Sequence, residues 1–470
     1  MTWARHHKLL AAVAAVCIVA FVWSCCEVMT VFYAQTSPTI DSRAALRSLA
    51  LNGTGVTAGQ GNAAWSLLVE VFDAVDEVAA ELDAMYDAGE FEPRDEWDVE
   101  LDFDRVLEAR TVSGNLKPER HALTLLRNRG VFDKLRRFSG GSPGLRPITG
   151  EGPLWSGFRD DDRDRARNLA RLRVSALRLA AADGEFTEAA AAFDQTLALA
   201  RTVAWQPSML DFMTANSIEA LAILELQYEL METDFDERSC RSLLESLDRH
   251  AVSPGVAFAL EAERVIADDW LQWCYSDDGE GDGYLVSVPL PEEFARPSDE
   301  SVLESLFEAA MIRFFSDTRA EVRTAHDNMT NWLIAVSLMN AADQARVLSD
   351  EGTERFIRHR PFRRTLNAGT RVMVALQLYR SLNGGYPLSL DELDGEPPVD
   401  LLHGLPFGYR LLDDDPDGRG YVLYSYGLDG IDDGGVEPDL GWARWSGPLT
   451  DPDAAGLDFV INTPRLVWDE

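Results

Sequence analysis

The stretch 165-RARNLARLRVSALRLAAADGEFTEAAAAFDQTLALARTVA-204 decides the fold. It carries two alanine-rich helical patterns, Arg165 to Ala182 and Phe186 to Ala204, on either side of Asp183-Gly184-Glu185. Small side chains let two such helices approach closely while aromatics fill the gap between them. Outward from this hairpin, Trp65, Leu68, Val69, Phe72, Val75 and Val78 recur at three- and four-residue steps and predict an amphipathic helix from Asn62 to about Met85. Further helical patterns run over Met209 to Met231, Ser239 to His250, Val256 to Trp273 and Val302 to Val347. Gly140 to Gly157 is a break punctuated by glycine and proline. Residues 62 to about 350 therefore read as all-α.

Charge excludes several partners. The 470 residues hold 43 lysines and arginines against 79 acids, a formal charge of −36. Such a surface is repelled by nucleic-acid phosphates and by anionic lipid. An apolar share of 46% is ordinary for a folded chain and argues against wholesale disorder. Five cysteines are present, three of them (Cys17, Cys25, Cys26) in the N-terminal apolar run. Cys240 and Cys274 remain, either as a pair or as two buried thiols, and no ligand spacing suggests zinc.

Leu9 to Cys26 has no ionisable group except cysteine and is preceded by Arg5 and Lys8. Such a run, with its positive N-terminal flank, predicts a signal anchor or transmembrane helix over residues 1–34, with the N-terminus cytoplasmic and the bulk of the chain extracytoplasmic, in a bacterial periplasm. A cleaved signal peptide, for which no convincing small-x-small site follows, and a lipoprotein site at Cys25, where Trp23 stands two positions upstream, are the alternatives. Residues 35–61, rich in Ser, Thr and Gly, read as a linker. The α-helical domain is expected over 62–354, and a basic helix followed by an acidic α+β head over 355–470.

Within that last region the charge reverses twice. Arg355 to Gly384 has seven arginines and no acid, and reads either as a solvated face with salt bridges or as a docking surface for an acidic partner. Gly385 to Glu470 then has 19 acids and four arginines. Asn383-Gly384 ends a helix, Ser389 and Glu392 form a capping box, and Tyr409 to Leu412 and Tyr421 to Tyr426 read as strands joined by a turn at Asp413 to Gly420. After the second strand, Asp429, Asp432, Asp433, Glu437 and Asp439 crowd a glycine-spaced loop. Hard oxygen ligands on a turning backbone suit Ca²⁺, although a solvated acidic loop has the same composition.

Two resemblances add to this reading. Gly184, Phe186, Ala189, Phe193 and Leu197 resemble the turn and second helix of a tetratricopeptide hairpin. The order Leu378-Tyr379-Arg380, Asn383-Gly384-Gly385-Tyr386-Pro387, Leu405 to Arg410 and Leu423 to Gly430 resembles the globular head of type II secretion system major pseudopilins. That resemblance implies a calcium ion that keeps the head folded, with Asp429 and Asp439 as the strongest matches to ligands. Tyr426 would contribute a backbone carbonyl, with Asp432 and Asp433 as further candidates. The family's processing site is absent before Leu9, so assembly into a pilus is not implied. The layout as a whole resembles large bacterial membrane-anchored proteins of unassigned function.

No nucleophile elbow, HExxH, P-loop or dinucleotide fingerprint occurs in a supporting context. The expected fold is mainly α: a transmembrane helix, an all-α helical-hairpin region and a small α+β head. The expected function is that of a non-enzymatic, anchored, extracytoplasmic structural or interaction protein with a calcium-stabilised head, possessing a protein partner beside a secretion or envelope machine. The alternatives are a hydrolase with its site in a groove of the helical region, and a helical adaptor that binds peptides.

Overall fold

The computed structural model describes residues 40–89, 117–148, 154, 160–250, 254–275, 318–340, 343–344, 347, 352–395, 399–413, 415, 418–436 and 458–463. Eleven α-helices are seen among them: α1 Ser42–Thr54, α2 Ala58–Asp87, α3 Lys117–Asn128, α4 Val131–Ser139, α5 Asp160–Ala182, α6 Phe186–Ala204, α7 Met209–Glu232, α8 Glu237–His250, α9 Val256–Cys274, α10 Arg319–Ser337 and α11 Gly352–Asn383. Three strands follow: β1 Gly408–Leu411, β2 Tyr421–Ser425 and β3 Phe459–Val460. The chain divides into two compact units, one of residues 1–48, 148–159 and 261–332, the other of 49–147, 160–260 and 333–470.

One part of the expected fold is overturned. No helix among the described residues is long and apolar enough to cross a membrane. The two longest, α2 and α11, have length to spare at 30 and 32 residues, but acids from Glu70 onward interrupt α2 and arginines interrupt α11. The run Leu9 to Cys26, read as a transmembrane helix, lies outside the described residues. The described residues are mainly α-helical, with one small sheet among them. The expected linker also differs, because α1 occupies its middle. Asp41 caps that helix by accepting the Ala44 N–H at 2.9 Å, and Leu46 and Ala50 are buried, a pattern masked in the sequence by the surrounding Ser, Thr and Gly.

The second unit is built on the α5–α6 hairpin. Gly184 turns the chain at φ 75°, and its N–H donates to Ala181 O at 3.0 Å. α6 buries nearly its whole length, with Ala189, Ala192 and Phe193 fully inaccessible. α7 packs against both helices of the hairpin, α8 returns against α6, and α3 and α4 cover the other side with α2. The break after α4 is tied down by a buried ionic network. Arg146 Nη2 lies 2.9 Å and Arg163 Nη1 3.4 Å from Asp211, which also accepts the Ser208 hydroxyl at 2.7 Å at the start of α7.

α11 packs on α7 and α8, and carries the sheet on the same core. A single cluster of buried side chains runs from Trp65 through Phe193 and Met373 to Phe459 and Ile461. The boundary expected at 354/355 therefore falls inside one compact unit. Gly384 ends α11 at φ 79°, and Ser389 and Glu392 form a reciprocal capping box around a 3₁₀ turn. β1, β2 and β3 form an antiparallel sheet in that order, with Gly408 opposite Tyr424 and Tyr424 opposite Val460. Gln227 of α7 hydrogen-bonds Thr370 of α11 at 2.7 Å, and Gln377 reaches the Leu230 carbonyl at 2.6 Å.

In the first unit, Leu271, Cys274 and Tyr275 form a small cluster with Trp270 and Val322. Gln272 clamps the chain at Ile40, accepting its N–H at 3.1 Å and donating to its carbonyl at 3.2 Å. Cys240 and Cys274 are both free thiols, and burial pushes each up to about 12.

Gly369 reports on the union of α11 with the sheet. A glycine-to-alanine change inside a helix ordinarily stabilises by about 1 kcal/mol. Here the new Cβ would lie 2.8 Å from Ile461 Cγ2. Gly369→Ala is expected to lower stability by about 1–3 kcal/mol in urea unfolding. A more stable variant would mean that helix and sheet do not meet at this position.

Candidate functional site

β2 is buried along its whole length, which fixes the base of the acidic loop that follows it. Asn462 straps this strand from the side. It accepts the Leu423 N–H at 2.8 Å and donates to the Tyr421 carbonyl at 2.7 Å. At the strand's end the Ser425 hydroxyl accepts the Gly427 N–H at 3.1 Å. Beneath the loop lies a second buried pair, with His403 Nε2 2.8 Å from Asp400 and the Thr365 hydroxyl of α11 donating to the same carboxylate at 2.8 Å.

The residues expected to hold calcium are only partly placed together. Tyr426 is half-buried and its ring stacks on His403 with centroids 5.4 Å apart. Asp429 is exposed and accepts the Ile431 N–H at 3.0 Å, an Asx turn closed on its own backbone. Asp432 is exposed and already accepts two hydrogen bonds, from the Tyr424 hydroxyl and the Gly434 N–H, each at 2.9 Å. Asp433 is exposed, and Asp439 lies outside the described residues. Among the described residues no group of three or more His, Cys, Asp or Glu side chains is arranged to hold a metal ion.

Sequence reasoning missed the residue that matters most here. Asp458, just before β3, is fully buried. One carboxylate oxygen accepts the Gly435 N–H at 2.6 Å, while the other, Oδ1, has no hydrogen-bond partner. Burial raises its pKa, and the charges of Asp432 and Asp433 raise it further, against opposing interactions with the Gly435 and Asp433 backbone N–H groups. Tyr424 is likewise raised by burial and by its bond to Asp432. The loop thus closes on a buried carboxylate that feels two others and has no cation beside it among the described residues. The donor set, carboxylates with backbone carbonyls on a turning chain, is the chemistry Ca²⁺ accepts, and the unpartnered Asp458 oxygen is where a cation would relieve desolvation. The only sequence signal was a short apolar run, Phe459 to Ile461, too brief to predict as a strand.

The pH dependence follows from the sign of the Asp458 shift. A carboxyl whose native pKa lies above its unfolded value leaves the folded state holding more protons than the unfolded one between those two values. Stability therefore falls as pH rises through that window and stays low above it. In chelator, Asp458→Asn is expected to remove that fall, giving a thermal midpoint at neutral pH no lower than the parent's. A parent-minus-variant difference that is flat in pH, or of opposite sign, would show that Asp458 is not the strained group.

Comparison with known protein families, with characterised proteins and with solved structures found no match to this chain.

Proposed function

We propose that this protein is a non-catalytic interaction protein whose C-terminal region is organised by calcium. The observation that carries the reading is Asp458, a fully buried carboxylate with one unpartnered oxygen, set against Asp432 and Asp433. Ca²⁺ at that point would neutralise charges that otherwise repel, and would draw the exposed Asp429, Asp432 and Asp433 inward as ligands, with the Tyr426 carbonyl and Asp439 completing the shell. The resemblance of residues 367–442 to the pseudopilin head supports the same ion at the same loop. Ligands that must first leave their own turns bind weakly, so the ion suits an extracytoplasmic compartment, where calcium sites work at roughly 10⁻⁴–10⁻³ M. A head that gains its order from an ion presents its surface only where that ion is abundant, which favours a binding role over a catalytic one.

The test is a calcium titration of the full chain, following thermal unfolding. Calcium at one hundred times its Kd adds about 2.7 kcal/mol, so above the Kd the midpoint should climb with the logarithm of calcium concentration. The climb should vanish in Asp458→Asn and shrink in Asp429→Ala. If Mg²⁺ or monovalent salt at matched ionic strength raised the midpoint as far, the effect would be screening of a −36 chain and the reading would fail.

A further inference from the structure

The arginines of α11 line a cavity that the calcium reading leaves unused. Arg360, Arg363, Arg364, Asn367 and Arg371 recur at steps of one, three and four, which places them within an arc of about 100° on one face of the helix. With Asn216 and Glu219 of α7 and His250 at the end of α8, they surround a cavity of about 390 Å³. Leu197, Phe212, Ile223 and Leu247 supply an apolar wall. Arg201 of α6 borders an adjoining recess that shares Leu197, Phe212, Asn216, Glu219 and His250 with the main cavity.

Two arginines of this helix behave as charges on a solvated face do. Arg371 pairs with Asp248, and Arg380 Nη1 lies 2.6 Å from Asp234. Arg360 and Arg364 form no hydrogen bond or ion pair with any described residue. Arg360 is nonetheless largely withdrawn from water, and burial followed by repulsion from Arg364 lowers its pKa. Arg201 adds a buried Nε without a partner, and its pKa too is lowered by burial. His250 is only 6 % exposed; its Nε2 is held 3.0 Å from Asp194, while its Nδ1 is buried and unpartnered. Glu219 is the one carboxylate in the wall outside an ion pair, and it accepts the Asn367 amide at 2.8 Å. It faces Arg360, Arg363 and Arg364 together, and burial raises its pKa against their opposing pull, so one carboxyl stands against three guanidiniums.

Concentrating like charges in a partly dehydrated cavity is unfavourable unless an anion joins them. This chain has nearly twice as many acids as bases, yet among the described residues Glu219 is the one acid set against Arg360 and Arg364. Guanidinium forks match the oxygens of phosphate, and a dianion offsets several of them where a single carboxylate offsets one. The volume is that of a small-molecule site, and the apolar wall asks for an organic body beside the charged group. We propose that this cavity binds a small organic phosphate monoester, with its phosphate on Arg360 and Arg364 and its organic portion against Leu197, Phe212 and Ile223. The site is independent of the calcium loop and stands whether or not that ion binds.

Isothermal titration of the full chain with phenyl phosphate, inorganic phosphate and benzoate, at one ionic strength, tests it. Phenyl phosphate should bind most tightly. Arg364→Gln, a change at an exposed side chain, should weaken it by about tenfold, the loss expected for one charge-assisted contact. Arg360→Gln/Arg364→Gln should abolish saturable binding while leaving the thermal midpoint of the unliganded chain unchanged or raised, because it removes repulsion. If the double variant failed to fold, Arg364→Gln alone would decide. Inorganic phosphate binding as tightly as phenyl phosphate would overturn the organic portion, and benzoate binding as tightly would overturn the phosphate. Absence of saturable binding at millimolar phenyl phosphate, or affinity unchanged in Arg364→Gln, would overturn the site itself.

Discussion

Close approach of α5 and α6 is the constraint on which the second unit rests. Ala170, Ala189 and Ala192 are wholly inaccessible, and a larger side chain at any of them would drive the helices apart. With the hairpin closed, Phe193 is buried completely and α7 can lie across both helices. α7 in turn offers Gln227 and Glu219 to α11, and α11 supports the sheet. Dense interiors tolerate few voids, so a spacing set by alanines in one helix pair propagates to every element packed on it.

Charge is handled differently inside this protein and on its surface. The chain as a whole is strongly acidic, whereas several buried ions come in small sets with their partners. Asp211 draws Arg146, Arg163 and the Ser208 hydroxyl, and Asp194 draws His250, Arg249 and the Ser246 hydroxyl. Arg173 lies 4.6 Å over the Phe132 ring with Glu188 at 3.7 Å, and burial still lowers it to about 10. Such sets hold only while every member is present, since one removed partner leaves a desolvated charge behind. Against that background Asp458 and the Arg360–Arg364 face are exceptions of opposite sign. On the readings proposed above, a cation would complete the first and an anion the second, and β3 and α11 carry them in the same core. Binding at either would add to the stability of the fold that positions it, by the linkage common to all ligands that prefer the native state.

Most of the helical region was legible from residue order. The hairpin around Gly184, the amphipathic stripe from Trp65 to Val78, and the starts of α7 and α9 near Met209 and Val256 depend on local periodicity and on caps, which a sequence displays directly. The same holds for the Ser389–Glu392 capping box and for β1 and β2, whose hairpin turn is written in Asp and Gly. α1 was not legible, because its helix rests on two buried contacts, Leu46 and Ala50, amid turn-forming residues. The acidic loop was visible as composition, but Asp429 and Asp432 are engaged in their own turns and do not converge.

What residue order determined by itself is the helical character of the chain, the acidic charge, the local reversal of that charge along α11 and the strand pair of the head, because each follows from interactions between near neighbours. Tertiary structure alone decided that α11 and the sheet belong to the same core as the hairpin, since Gly369 meeting Ile461 joins positions 92 residues apart. It alone brought Asp458 under the loop by pairing β3 with β2, and set Arg201 and His250 beside the arginines of α11. Those placements depend on long-range packing, where the identity of a neighbour is fixed by shape and burial and leaves no periodic trace in the chain.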